Sequence, residues 1–212
     1  MAQLLDRSIY LASRSPRRRE LLGHIGVKFH LLLFRNRPDT TPDVDEVPND
    51  GESPRDYVMR MALSKAAAGW KRMLERNLPR APVLAADTTV ALEGHIYNKP
   101  ADRAEAAAML AALSGKRHEV LTAVALQFED QVETALSVSE VQFRELTPED
   151  INDYVATGEP DDKAGAYAIQ GRAALFVSEI RGSQSGIVGL PLYETAQLLQ
   201  KMVGRRERRS PR

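Results

Sequence analysis

The side chains that could do chemistry in this sequence are charged, dispersed, and set at the edges of apolar runs. Asp87 stands out, because it directly follows Val83-Leu84-Ala85-Ala86. A carboxylate there is expensive to desolvate unless it is paired or bound to a metal, the alternative being a cap at a strand end. Arg17 follows the run LASRSP, and Asp45 and Glu46 lie in an acidic stretch. Lys65 lies inside a helical pattern, and Lys99 and Lys163 stand beside Pro100 and Gly165. Carboxylates are hard oxygen ligands suited to Mg2+ or Mn2+. The cations could clamp a polyphosphate. Together these groups predict metal-assisted phosphoryl or nucleotidyl chemistry. The absence of cysteine removes thiolate catalysis, disulfides and zinc–thiolate sites. His24, His30, His95 and His118 show no ligand spacing and are expected to be structural or surface residues. There is no GxxxxGK[ST], no GxGxxG and no nucleophile elbow.

The elements that must position these groups are legible in part. The stretch Ile9–Leu22 begins with a short apolar run, expected as a buried strand, and then meets Ser15-Pro16. Serine is a good N-cap, and proline suits the first helical position, where no N–H is needed. Leu21, Leu22 and Ile25 are the expected buried face of that helix. Arg17, Arg18 and Arg19 crowd its first turn, at the positive end of the helix dipole. Free N–H groups and guanidinium forks there make a site for phosphate, although a solvated basic turn is the other reading. Val27–Phe34 is expected as a strand. Residues 35–53 form a polar loop with three prolines and six acidic residues, and a loop that long is usually functional or mobile.

Ser53-Pro54 opens a long helix to about residue 76, with Tyr57, Met61, Ser64 and Ala68 at helical spacing and Lys65 beside them. Pro82–Leu92 is expected as a strand that His95–Asn98 pairs as a hairpin. Asp102 caps an alanine-rich helix, and two β-runs meet at Glu129-Asp130-Gln131. Thr147-Pro148-Glu149-Asp150 starts another helix, which stops at Gly158. A strand over Ala173–Ile180, a small-residue loop over Gly182–Gly189 and a helix from Pro191 to about Met202 complete the expected order.

The 212 residues are 43% hydrophobic, enough for a real core. Lys+Arg and Asp+Glu are both 29, so no global field favours nucleic acid or an anionic membrane, and any basic site must be local. The run in MAQLLDRS is too short for a signal peptide. No apolar stretch reaches the roughly 18 residues of a membrane span. The expectation is a cytoplasmic α/β protein with a mixed twisted sheet, flanking helices and two lobes around a cleft. Residues 1–203 form its single domain. Residues 204–212, with five arginines and one glutamate, are expected as a disordered basic tail.

Four motifs in order carry a family resemblance: LASRSPRRRELL (11–22), YVMRMALSKA (57–66), AADTTV (85–90) with NKP (98–100), and DKAGAYAIQGRAALFVSEIRGSQSGIVGLPLYET (162–195). In these the chain resembles the Maf family of nucleoside triphosphate pyrophosphatases, over nearly all its length except the tail. The resemblance implies a nucleotide held in the cleft and hydrolysed to monophosphate and pyrophosphate with a divalent metal, Mg2+ or Mn2+. It implies Asp87 as proton acceptor for water, and Ser13, Arg17, Lys65 and Lys99 as the phosphate-facing set. It implies Glu46 and Asp87 as metal-associated carboxylates, and Arg17, Thr88 and Gln170 as the residues that discriminate substrates. Thr after the Asp and Gln before the Gly resemble the dTTP/UTP subgroup. A homodimer is implied by resemblance alone. Ser64 stands where the family commonly has Glu, which removes one polar contact. Two rival readings are a non-catalytic nucleotide-sensing or division-regulating protein and nucleic-acid binding through the tail. Asp87, Lys65 and Lys99 weigh against the first, because pure binding needs no base beside the phosphates. Zero net charge weighs against the second.

Overall fold

The computed structural model describes residues 8–34 and 43–209, with side chains described to Met202. Its elements are β1 (Ile9–Leu11), α1 (Pro16–His24), β2 (Phe29–Leu31), α2 (Pro54–Glu75), β3 (Val83–Leu92), β4 (His95–Tyr97), α3 (Arg103–Leu113), β5 (Arg117–Phe128), β6 (Gln131–Phe143), α4 (Pro148–Ala156), β7 (Val177–Arg181), α5 (Gln184–Val188) and α6 (Leu192–Arg209). The strands make one seven-stranded sheet in the order β2-β1-β3-β5-β6-β7, with β4 on β3. Pairing is parallel for β1 with β2 and β3, where α1 and α2 supply the crossovers, and antiparallel elsewhere. This is the mixed α/β sheet with flanking helices expected from the sequence.

Caps set the helix starts. Ser15, Ser53, Asp102 and Thr147 each accept a hydrogen bond from the backbone N–H three residues on, and Thr147 with Asp150 completes a capping box. Each such cap is worth about 1 kcal/mol. Helix α2 packs close on the sheet through Gly69, where a Cβ would lie 2.8 Å from Val83 and 3.0 Å from Ala12. That approach sets the height of Lys65, one turn away.

Strand β3 is buried along almost its whole length, as a central strand covered on both faces should be. Val83 and Ala85 join an apolar cluster with Tyr57, Val58, Met61 and Ala62 of α2. Leu84 and Ala86 point the other way, into a cluster with Leu21 and Leu22 of α1 and Leu198, Leu199 and Met202 of α6. Farther along that second face, Val90 and Leu92 enter a separate cluster with α3, α4, Phe143 and Tyr167. Asp87-Thr88-Thr89 is therefore a polar seam between apolar regions.

Several expectations are corrected. The strand expected over Val27–Phe34 is only Phe29–Leu31. Ala173–Ile180 begins instead as a 3-10 turn, Arg172–Leu175, before β7. The small-residue loop over Gly182–Gly189 contains α5, capped by Ser183. The last helix runs past the expected end near Met202, to Arg209, through most of the stretch expected as a disordered tail. Loop residues 35–42 and tail residues 210–212 lie outside the described residues. Among the described residues, no helix is long and apolar enough to cross a membrane.

Candidate active site

The site lies where β3 outruns its neighbour. Strand β1 pairs with β3 only at Tyr10–Val83 and Leu11–Leu84, and β4 only from Val90 to Leu92. Between these two pairings lies Asp87. Past Leu11 the chain turns through Ser13 into the N-terminus of α1, so the first motif arrives at the same place, beyond the carboxyl end of a parallel strand.

On the α2 face of β3, Lys65 joins the two carboxylates that the sequence singled out. Its Nζ lies 2.6 Å from Asp87 Oδ1 and 2.7 Å from Glu46 Oε1. Asp87 is buried and Glu46 half-exposed, so the ammonium serves both a desolvated and a wet partner. Burial pushes the Glu46 carboxyl up, but the Lys65 charge and hydrogen bond, with Lys99 and Arg18 behind, hold it below the usual range. Lys99 is itself exposed.

The Glu46 loop is pinned along α2. Tyr57 donates to Glu46 O (2.9 Å), and Arg60 grips both oxygens of Glu52 at 2.6 Å and donates to Val47 O (3.0 Å). The buried Arg72 pairs with Asp43 at 2.6 and 2.7 Å. Asn98 completes the frame, donating to the Tyr57 hydroxyl (3.1 Å) and accepting from Thr89 (3.2 Å), while its carbonyl receives Gly165 N–H (3.2 Å).

The opposite face of β3 is organised by Arg18, which sequence reasoning passed over in favour of Arg17. Arg18 Nε donates to Gly189 O (2.8 Å), Nη2 to Thr88 Oγ1 (3.2 Å) and Nη1 to Ser13 Oγ (3.4 Å). Thr88 Oγ1 also bonds Thr122 Oγ1 (3.0 Å), directly across the antiparallel register, and Thr122 donates to Gly186 O (2.8 Å). Burial lowers the Arg18 pKa, opposed by the charges of Asp87 and Glu46, so its field reaches the other face too. Three consecutive arginines on a helix point in three directions, and their spacing alone could not say which turns inward. Ser13, buried, accepts from Arg18 and from Ser15 N–H (3.1 Å), which leaves its own O–H as a donor.

Arg17 lies elsewhere. Burial lowers its pKa, countered by Asp162 and then Tyr154. Lys163, lowered by burial and by Arg17, stands on the same side. Gln170 is exposed on the turn that follows. The sequence-predicted set thus divides into a carboxylate–lysine group (Asp87, Glu46, Lys65, with Lys99 near), an arginine–hydroxyl group (Ser13, Thr88) and a rim (Arg17, Gln170).

The described residues contain no group of three or more His, Asp or Glu able to hold a metal. Two carboxylate oxygens converging on one ammonium do fit a divalent cation that takes one or two protein carboxylates and completes its shell with substrate phosphates and water. His118 is a core residue, bonded to the Tyr167 hydroxyl at 2.9 Å.

A seven-stranded mixed sheet with acid, ammonium and guanidinium groups around one strand defines the protein as α/β with a charged site on its central strand. The family model described as Maf-like protein matches residues 8–202, and the chain belongs to that family. It is 60% identical over 193 residues to the dTTP/UTP pyrophosphatase of Aromatoleum aromaticum, covering 91% of this chain and 94% of the relative. It is 55% identical to that of Nitrosomonas europaea, covering 91% and 93%. A solved structure, the Staphylococcus aureus Ham1 protein, aligns at 16% identity over 65% of this chain and 72% of the other, with a TM-score of 0.42.

Proposed function

We propose that this protein hydrolyses nucleoside triphosphates, dTTP and UTP foremost, to the monophosphate and pyrophosphate. The carrying observation is Lys65 held between Asp87 and Glu46 beside an arginine-rich helix start. The names of relatives at 60% and 55% identity support the substrate class.

Release of pyrophosphate needs water to attack the α-phosphorus in line and a carboxylate to take its proton. Asp87 is the base in this reading, oriented by its ion pair with Lys65. Glu46 and Asp87 would hold a divalent cation, which neutralises triphosphate charge when bound. Lys65, Lys99, Arg17 and the Ser13 hydroxyl face the phosphates and stabilise the charge that builds on the leaving pyrophosphate. Base choice falls to Gln170. Thymine and uracil present acceptor, donor, acceptor along the imide edge, and a carboxamide meets two adjacent atoms of it at once. Cytosine places its amino group against the amide donor, and a site left with an unpaired donor discriminates strongly. A cytoplasmic setting belongs to the same reading, since nucleoside triphosphates are its substrate pool.

The test scores purified protein on dTTP, UTP, CTP and GTP with Mg2+ or Mn2+ for pyrophosphate against orthophosphate. Pyrophosphate, fastest from dTTP and UTP, is expected. Orthophosphate as product would overturn the site of attack. Saturable nucleotide binding without turnover would establish the sensing role instead.

A further inference from the structure

The turn that carries Gln170 has a support that nothing in its own sequence provides. Glu159, just past α4, reaches across to it. Its Oε2 accepts Arg172 N–H at 3.1 Å, and its Oε1 accepts the Tyr154 hydroxyl at 3.0 Å. The same Tyr154 oxygen accepts Ala168 N–H at 3.1 Å. One carboxylate and one phenol thus hold the backbone on both sides of Gln170. The contact is close enough to dictate a residue. A Cβ on Gly171 would sit 1.9 Å from Glu159 Oε1, so Gly171 leaves the space that the carboxylate fills. Glu159 is itself oriented, because its N–H donates to Thr157 Oγ1 at 3.0 Å.

We propose that Glu159, through Tyr154 and the Gly171 backbone, is the positioning residue for base selection. It clamps residues 168–172 so that the Gln170 carboxamide is presented in one orientation. A carboxamide on an untied turn can flip or withdraw, and then accepts a cytosine edge as readily as a uracil edge. Geometry held to a fraction of an ångström by supporting hydrogen bonds is the general requirement for such a reader. The proposal rests on Gln170 reading the base.

The experiment measures kcat/KM for UTP and CTP in wild type, Glu159→Ala, Gly171→Ala, Gln170→Ala and the Glu159→Ala/Gln170→Ala double variant. Gly171→Ala keeps the charge of Glu159 but pushes its carboxylate off the turn, so it covers the case in which Glu159→Ala folds poorly. In both clamp variants the UTP-over-CTP ratio is expected to fall about tenfold, mostly through a rise in UTP KM, with kcat on CTP held within about twofold. The double variant should discriminate no worse than Gln170→Ala alone, since the two residues act as one unit. Gln170→Ala with discrimination intact would overturn the base-reading role itself. Discrimination lost in Gln170→Ala but kept in Glu159→Ala and Gly171→Ala would overturn the clamp alone. Equal losses on both substrates in the clamp variants would also overturn it, leaving Glu159 as a structural strut.

Discussion

At Asp87 and Thr88 two adjacent residues of β3 project to opposite faces of the sheet, and the two faces are built differently. Around Asp87 the contacts are full charges: a carboxylate, an ammonium and a second, half-exposed carboxylate. Around Thr88 a single guanidinium is shared among two hydroxyls and a backbone carbonyl, with Thr122 tying the next strand in. The first face has labile partners that a polyanion and its cation can rearrange. The second is a closed network apart from the Ser13 O–H, which remains free to donate. The difference teaches that residues one apart in a motif need not share a role: the charged face suits proton transfer and phosphate binding, and the hydroxyl face suits holding α1, α5 and β5 in register around it. Arg18, whose field reaches Asp87 and Glu46, is the link between them.

The comparison breaks most visibly at Asp87. Asp87→Asn keeps shape and removes the charge, so turnover should fall by about two orders of magnitude or more, the range of general-base loss. Thr88→Val removes only a hydroxyl from the closed face and should cost far less. Matching losses in kcat for the two variants would show that the faces cannot be separated.

Arg18→Lys tests the link. An ammonium cannot serve Gly189 O, Thr88 and Ser13 at once, because it lacks the fork. Hydrogen bonds from charged groups are worth about 1.5–3 kcal/mol, so kcat/KM should drop by roughly tenfold to a hundredfold. A drop confined to thermal stability, with kcat/KM unchanged, would make Arg18 purely a brace.

Much of this was legible in the sequence. The Ser-Pro and Thr-Pro starts gave α1, α2 and α4 because capping is local chemistry, and the pair of β-runs around Glu129-Asp130 formed their hairpin. Asp87 was conspicuous because a buried carboxylate is costly, and its partner Lys65 lay in the preceding motif of the family resemblance. What was not legible depends on tertiary approach. Alternation along a strand places Thr88 opposite Asp87, yet only the register with Thr122 and the return of Gly189 show what meets it there. Arg18 carried the same local signal as Arg17 and Arg19. Glu159 carries no local signal in the sequence, and only the space beside Gly171 marks it out. The small-residue loop hid α5 because five residues are too few to show a helical period, although the Ser183 cap starts it and Ile187 and Val188 are buried.

The last contrast is between the site and the cluster around α3 and α4, and pH separates them. His118 is buried there against Phe143 and Tyr167, with ring centroids at 4.9 and 5.5 Å. Burial, only partly offset by the Lys116 backbone, pushes its pKa down from 6.5 to about 4. A folded-state pKa below the unfolded value means that the folded protein binds the proton less well. The stability linked to neutral His118 is therefore complete above the unfolded pKa, and it is lost as pH falls from 6.5 toward about 4. At about 1.36 kcal/mol per pKa unit the full loss is on the order of 3 kcal/mol. His118→Phe keeps a ring in the cluster and cannot titrate. It leaves the Tyr167 hydroxyl without its partner, so it should be less stable than wild type at pH near 7, by about 1–3 kcal/mol. On acidification to pH near 4.5 wild type should lose more Tm than the variant, and the gap between them should narrow. Parallel Tm losses would remove His118 as the acid-sensitive group of the fold. Because His118 packs in a different apolar cluster from the α2 side chains around Lys65, the pH profile of turnover should be the same in both proteins, governed by carboxylates such as Glu46 rather than by the imidazole.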